Sequence, residues 1–321
     1  MNATSSTAVL LLAHGSPDSP ADVPEFVLSV TGGRALPPAA VEEIQRRYAA
    51  IGRSPLTDIT LRQGRALEEL LKTPVYVGMR NWRPFIADVV PQMAEAGVTR
   101  AVAICLAPQN SRTSVGLYRR AAEQAAAGRV ELDFVESWHD HPLLIRAFAE
   151  KLETGWKGAC AEAGAKLPVI FTAHSVPERT IAEGDPYAQQ ARETAAMVAM
   201  QVPSLAVDDW TFAFQSQGMS GGPWLGPTVE EIIRALKEKG HRGVFMQPIG
   251  FVCDHVEVLY DIDIAFRAFA EAQGMRLWRA GSLNDSPTFM AALADVARSR
   301  LAPPASGEPR PSLVRIAPTG Q

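Results

Sequence analysis

The sequence predicts an α/β fold made of two similar halves, each a mainly parallel four-stranded sheet flanked by helices, with a cleft between them. Three observations carry that expectation. A five-residue pattern occurs twice, as Ala13-His14-Gly15-Ser16-Pro17 and as Ala173-His174-Ser175-Val176-Pro177, each time closing an apolar run. Further landmarks follow in the same order: Pro84-Phe85-Ile86 recurs as Pro223-Trp224-Leu225, Pro108 as Pro248, and Leu117-Tyr118 as Leu259-Tyr260. Short apolar runs also alternate with longer helical patterns, the mark of βα units feeding a parallel sheet. The copies differ at a position of chemical consequence, where the second half has Glu257 and the first has Val115.

In the first half, strands are expected near Val9–Ala13, Val75–Gly78, Ala101–Ala107 and Leu132–Val135. In the second they fall near Val169–Ala173, Trp210–Gln215, Val244–Pro248 and Arg276–Ala280. Helical patterns fill the gaps at Ala39–Ala50, Thr57–Leu71, Pro84–Ala96, Thr113–Ala127, Pro142–Ala163, Pro186–Val202, Thr228–Lys239, Asp254–Gln273 and Pro287–Ala302. Several open on proline, whose missing N–H removes no intrahelical bond in a first turn. The stretch Asp18–Pro38 holds four prolines, a Gly-Gly pair and the apolar Phe26–Val30. It reads as a lip or flap over a site, or as a surface loop with one short helix. The expected units are residues 8–150 with the flap at 18–38, then 151–302, then a disordered tail at 303–321 rich in Pro, Gly and Ser.

Composition excludes several classes. With 31 basic and 35 acidic side chains the net charge is −4, so nucleic acid is not expected as a partner. No stretch approaches the roughly 20 apolar residues of a membrane span, and Met1–Thr7 does not read as a signal peptide. Cys105, Cys160 and Cys253 are few, odd in number and widely spaced, which suits a reducing cytoplasm and no iron–sulfur cluster. No P-loop, GxGxxG turn or GxSxG elbow occurs. No heptad or long exposed apolar helix demands a partner, so a monomer is expected.

Ligands of open α/β sheets sit beyond the carboxyl ends of the strands. His14, His174, Pro108 with Gln109, Gln215 with Ser216, and the Gly250–Glu257 stretch all fall at such ends. A histidine there can be a structural hydrogen-bonding group, but both copies of the repeat keep it. Around Asp254-His255-Val256-Glu257 the acids match a capping box, with Asp254 as cap and Glu257 three residues on. Glu257 and Asp261 are also spaced i, i+4 on one helix face, where they could bind a divalent cation or pass protons opposite His174. His139 and His141 could mimic a metal pair, although their i, i+2 spacing before Pro142 reads as a loop. His241 reads as a solvated helix end.

At these residues the chain resembles the ferrochelatases, which insert ferrous iron into a porphyrin. The resemblance rests on Thr172–Glu178, on Gln215-Ser216-Gln217-Gly218 leading to Pro223-Trp224-Leu225-Gly226-Pro227, and on Gly250–Asp261. Gly52–Leu56, Ala107-Pro108-Gln109 and Glu136-Ser137-Trp138 add to it, so that it spans about Val9 to Leu301. It implies two Rossmann-like halves of the chelatase type around the cleft, and a lyase of haem and porphyrin biosynthesis. No tightly bound cofactor is implied; Fe²⁺ is a substrate, as is the porphyrin. His174 and Glu257 match the pair flanking the metal-insertion point, where they would accept pyrrole protons and guide the metal. His14 matches a position on the opposite porphyrin face where coproporphyrin enzymes commonly have Tyr. Arg47, Tyr48, Ser54 and Tyr118 match positions lining the macrocycle and its propionates. Thr31 falls where relatives often place an Arg, for which Arg34, Arg46 or Arg53 would substitute. One turn past Asp261, where some relatives add a carboxylate, this chain has Ala265. Coproporphyrin III is favoured over protoporphyrin IX. The alternatives are a chelatase for another metal such as cobalt, or a non-catalytic tetrapyrrole-delivery protein.

Overall fold

A computed structural model of the chain describes residues 6–217 and 222–301. Strand order answers the duplication directly. In the first half β1 (Ser6–Ala13), β2 (Val75–Met79), β3 (Val98–Cys105) and β4 (Glu131–Val135) form one parallel sheet in the order β2-β1-β3-β4. In the second, β5 (Val169–His174), β6 (Trp210–Gln215), β7 (Gly243–Pro248) and β8 (Arg276–Arg279) form another in the equivalent order β6-β5-β7-β8. Register is regular: Val9 pairs with Val75, Ala101 with Leu132, and Phe171 with both Phe212 and Gln247.

The central strands are continuous apolar runs because both of their faces are covered. On one face of the first sheet, Leu10 and Leu12 pack against α4 (Ile86–Glu95) and α5 (Val115–Ala126). On the outer face of the second, Ile170 and Met246 pack against α9 (Val229–Glu238) and α11 (Arg267–Ala272). The two inner faces share one large core. It joins Val9 and Leu11 to Phe171, Phe214 and Phe245 through α3 (Leu56–Leu71), α6 (Pro142–Ala163), α8 (Tyr187–Met200) and α12 (Pro287–Leu301). The expected division after residue 150 falls inside α6, and α12 returns across α3 and α6 to the first sheet. Arg100 of β3 donates to the Arg300 carbonyl at 2.9 Å.

The remaining elements bear on the cleft. The 18–38 stretch forms a short 3₁₀ turn, Pro20–Asp22, and then α1 (Val23–Val30). Its Val23, Phe26 and Val27 are buried with Tyr48 and Trp82, where α2 (Pro38–Ile51) supplies the tyrosine. A brief α7 (Glu178–Ala182) follows β5. The expected helix at Asp254–Gln273 is divided into α10 (Val256–Leu259), a π-helical stretch at Asp261–Phe266, and α11. The pairing of Pro84 with Pro223 needs correction. Met79 N–H donates to the Pro84 carbonyl and Phe214 N–H to the Pro227 carbonyl, so the equivalent of Pro84 is Pro227. Both of these prolines follow a cis peptide bond. No described helix is long and apolar enough to cross a membrane. Gly218 of the Gln215–Gly218 block and the 303–321 tail lie outside the described residues.

Phe171 is fully buried at the centre of the shared core and meets the Trp210 ring edge-on at 5.3 Å. Phe171→Ala should therefore cost about 3–5 kcal/mol, measured by reversible chemical denaturation. A loss below about 1 kcal/mol would show that the two sheets do not depend on one core.

Candidate active site

Parallel strands deliver their carboxyl ends to one side of each sheet, and that side carries the charged and imidazole side chains. His174 is the last residue of β5, beside Gln215, the last of β6. After β7 the chain turns at Gly250, whose missing side chain allows close passage: a Cβ there would stand 2.8 Å from the Cβ of Ala173. That approach brings His255 and Glu257, at the start of α10, over the end of β5. The Gln215 amide donates to the Glu257 carbonyl at 2.9 Å and ties this turn to β6.

Glu257 is held between two imidazoles. Nε2 of His174 lies 3.5 Å from one carboxyl oxygen and Nε2 of His255 lies 3.6 Å from the other. The remaining nitrogen of His174 pairs with the Ser175 carbonyl, and that of His255 with the Cys253 carbonyl at 3.0 Å. Phe251 packs against His255 with tilted rings at 4.6 Å and stands edge-on to His174 at 6.4 Å. A charge pair at about 4 Å gains about 4 kcal/mol at an effective dielectric of about 20, which favours the charged form of each partner. Burial acts to lower the His174 pKa, but the Glu257 carboxylate outweighs it and holds the ring above its ordinary value. Burial likewise acts to raise Glu257, yet His174 and then His255 draw it well below the usual carboxylate range.

Asp261 lies in the π-helical stretch, accepts a bond from the Ser216 hydroxyl, and faces Arg47 at 3.8 Å. Burial, reinforced by the nearby Glu257 charge, raises its pKa against the pull of Ser216 and Arg47. The guanidinium of Arg47 also binds Glu43 and lies over the Tyr260 ring at 5.3 Å. The capping box expected at Asp254 is not formed. The Asp254 carboxylate accepts instead from Ser282, Asn284 and Arg279, and His255 takes the cap position. Arg279 grips Asp263 with two bonds of 2.7 and 2.8 Å while it also reaches Asp254. One largely enclosed guanidinium thus fixes both ends of the segment that carries His255, Glu257 and Asp261.

The first half supplies a less charged wall. His14 follows β1, and Gly15 beside it takes φ +84° at a place where a side chain would also meet Trp82 at 2.8 Å. The His14 ring is open to the cleft yet walled by protein elsewhere; burial, then the Arg80 charge, lowers its pKa to about 4. Phe26 of α1 meets it at 5.8 Å and continues to Tyr48 at 6.1 Å and Trp82 at 6.2 Å. Tyr48 accepts a bond from Ser16, and Arg80 lies over Tyr118 at 5.6 Å. Both phenols are buried, which raises their pKa values. Ser54 is buried with its hydroxyl unpartnered. The Thr31 hydroxyl is engaged with Val27, Leu28 and Arg34 carbonyls at the end of α1, and Arg53 pairs with Asp18 and Asp58. His139 and His141 do not converge: the first meets Ser137 and Glu193, the second Asp295.

His255, Arg279, Arg80 and Asn81 were not marked by the motifs as site residues. His255 sits inside a quoted block, where its even spacing from Glu257 conceals that both side chains turn the same way. The other three stand at the carboxyl ends of β8 and β2, which was the available signal. Among the described residues no group of three His, Cys, Asp or Glu side chains is arranged to hold a metal ion.

Removing the Glu257 charge should leave burial as the dominant influence on His174. In Glu257→Gln the His174 pKa, followed by NMR, is expected to fall below its value in the unaltered protein. An unchanged or higher value would contradict the pairing.

Comparison with known proteins places the chain in a family. A family model described as Ferrochelatase matches residues 6–301. A protein of Acidobacterium capsulatum described as a ferrochelatase is 56% identical over 308 residues, covering 92% of this chain and 94% of its own. A coproporphyrin III ferrochelatase from a Geobacillus species is 37% identical over 304 residues, covering 91% and 97%. Among solved structures, the terminal enzyme for siroheme biosynthesis in denitrifying bacteria aligns with a TM-score of 0.55 at 15% identity, covering 92% of this chain and all of that one. A sirohydrochlorin chelatase of Bacillus subtilis, solved with cobalt, aligns at 0.53 and 11%, covering 92% and 94%. These last two show a shared fold. The chain belongs to the ferrochelatase family of lyases, and its activity is that of a chelatase on a tetrapyrrole.

Proposed function

We propose that this enzyme inserts Fe²⁺ into coproporphyrin III as a cytoplasmic step of haem synthesis. The observation that carries the reading is the His174–Glu257 contact at 3.5 Å beyond the ends of β5 and β7. Insertion exchanges two pyrrole protons for one dication, so it needs a base and an anionic guide close together. Glu257, held ionised, meets the cation. As the metal nears the carboxylate, His174 gives up its proton toward solvent, and the neutral ring takes the two pyrrole protons in turn, releasing each before it accepts the next. Asp261, with its raised pKa and its Ser216 bond, stands behind Glu257 as a relay for the released protons.

In this reading the second half carries the metal-insertion residues, and the first half, with His14, Tyr48 and Tyr118, forms the far wall of the macrocycle. Arg47 attends its carboxylates, whereas Ser54, whose hydroxyl is enclosed, and Thr31 contribute through the fold around them. Coproporphyrin has a propionate on every pyrrole ring and so calls for several cations around the cleft. Arg80, Arg47 and Arg46 stand on the first-half side, and Arg80 has no carboxylate partner among the described residues. The coproporphyrin III ferrochelatases among the relatives support the same choice.

Purified protein incubated anaerobically with Fe²⁺ and porphyrin should show insertion by a change in the Soret band. His174→Ala combined with Glu257→Ala should reduce it at least about 100-fold, whereas undiminished insertion would remove these residues from the reaction. Coproporphyrin III should turn over faster than protoporphyrin IX, and the opposite order would reassign the substrate. Because the His174 pKa is raised in the metal-free protein and the ring must be neutral to accept a proton, kcat/KM for Fe²⁺ should climb with pH through an acid limb above about 6.5. A limb below that value would contradict the assignment of His174 as base.

A further inference from the structure

The partners of the His14 ring determine where its proton lies. Nδ1 is 3.0 Å from the Gly15 carbonyl, which only accepts, so Nδ1 carries the hydrogen. Nε2 then holds a lone pair, and it lies 2.9 Å from the side-chain amide nitrogen of Asn81, which donates to it. The reverse amide orientation would set an oxygen against that lone pair. Asn81 is almost wholly buried, and its own backbone N–H donates to the His14 carbonyl at 3.0 Å. The asparagine is therefore locked to the histidine at two points, while the ring remains open to the cleft with Phe26 edge-on at 5.8 Å.

Under the proposed function, on which a role for this pair depends, the wall faces the porphyrin side opposite His174 and Glu257. A metal-free macrocycle offers an imidazole lone pair only the weak donors of its inner N–H groups, whereas an iron-bearing one offers an axial coordination position. We propose that Asn81 is a positioning residue that keeps the Nε2 lone pair of His14 in a hydrogen bond, where it competes with the iron of the metallated product and weakens product binding. Ligation by His14 would first have to break the Asn81 bond. The pair then distinguishes substrate from product without touching the reacting nitrogens.

The test uses the full chain and preformed iron(III) coproporphyrin III, followed by absorption and electron paramagnetic resonance. In the unaltered protein the bound product should give a spectrum that His14→Ala leaves unchanged. Asn81→Ala should give an imidazole-ligated spectrum and bind about 3- to 10-fold more tightly, the worth of one hydrogen bond. Both effects should vanish in the Asn81→Ala, His14→Ala double variant. Asn81→Leu, closer in volume, repeats the measurement should the alanine form unfold. Full His14 ligation in the unaltered protein, or no change in either Asn81 variant, overturns the proposal alone. Failure of the unaltered protein to bind coproporphyrin with or without iron overturns the chelatase reading and this inference together.

Discussion

An imidazole and a carboxylate from distant stretches of the chain meet 3.5 Å apart, and the surrounding architecture serves to keep them there. Neither group is placed by its own helix or strand alone. His174 reaches the cleft because β5 ends where it does, and Glu257 because the chain leaving β7 passes tightly over Ala173 at Gly250. Gln215 then pins the Glu257 backbone from the neighbouring strand. Moving any of the three strand ends would separate a pair whose attraction depends steeply on distance in a partly buried setting.

The duplication explains how one fold presents two chemically different walls. The halves share their strand order, and each sends a histidine from the end of its central strand into the cleft. In the second half that histidine meets a carboxylate, a second imidazole and Asp261 nearby. In the first it meets an amide, a carbonyl and aromatic rings. Similar backbones therefore give a ring whose proton affinity is raised by an anion and a ring whose affinity is lowered by burial and by Arg80. The acidic wall needs support, because several carboxylates in one short segment repel one another. Arg279 provides it by neutralising Asp254 and Asp263 from below, which leaves Glu257 and Asp261 directed at the cleft.

Much of this architecture was legible in the residues. The central strands were visible as apolar runs because parallel strands covered on both faces admit few polar residues, whereas the edge strands β4 and β8 carry Glu131, Asp133, Arg276 and Arg279. The repeat located the cleft, and the blocks around His174 and Glu257 located the pair. Other features depended on tertiary contacts and were hidden. The acids of Asp254–Asp263 looked like a helix cap with an exposed face, and only the return of β8 beneath them assigns Asp254 to Arg279. The division of that helix by a π-helical stretch left no mark in the i, i+4 pattern. Pro84 and Pro223 are similar in sequence context, whereas backbone pairing matches Pro84 to Pro227. The flap at 18–38 contains a helix whose anchoring needs Tyr48 and Trp82, both remote in sequence.

The decisive measurement is a crystal structure of the protein with metal-free coproporphyrin III. The macrocycle is expected between the His14 ring and the His174–Glu257 pair, with those two groups facing its central nitrogens. Porphyrin bound outside this cleft, or inside it with the nitrogens turned away from both groups, would contradict the assignment of His174 and Glu257 as the insertion pair.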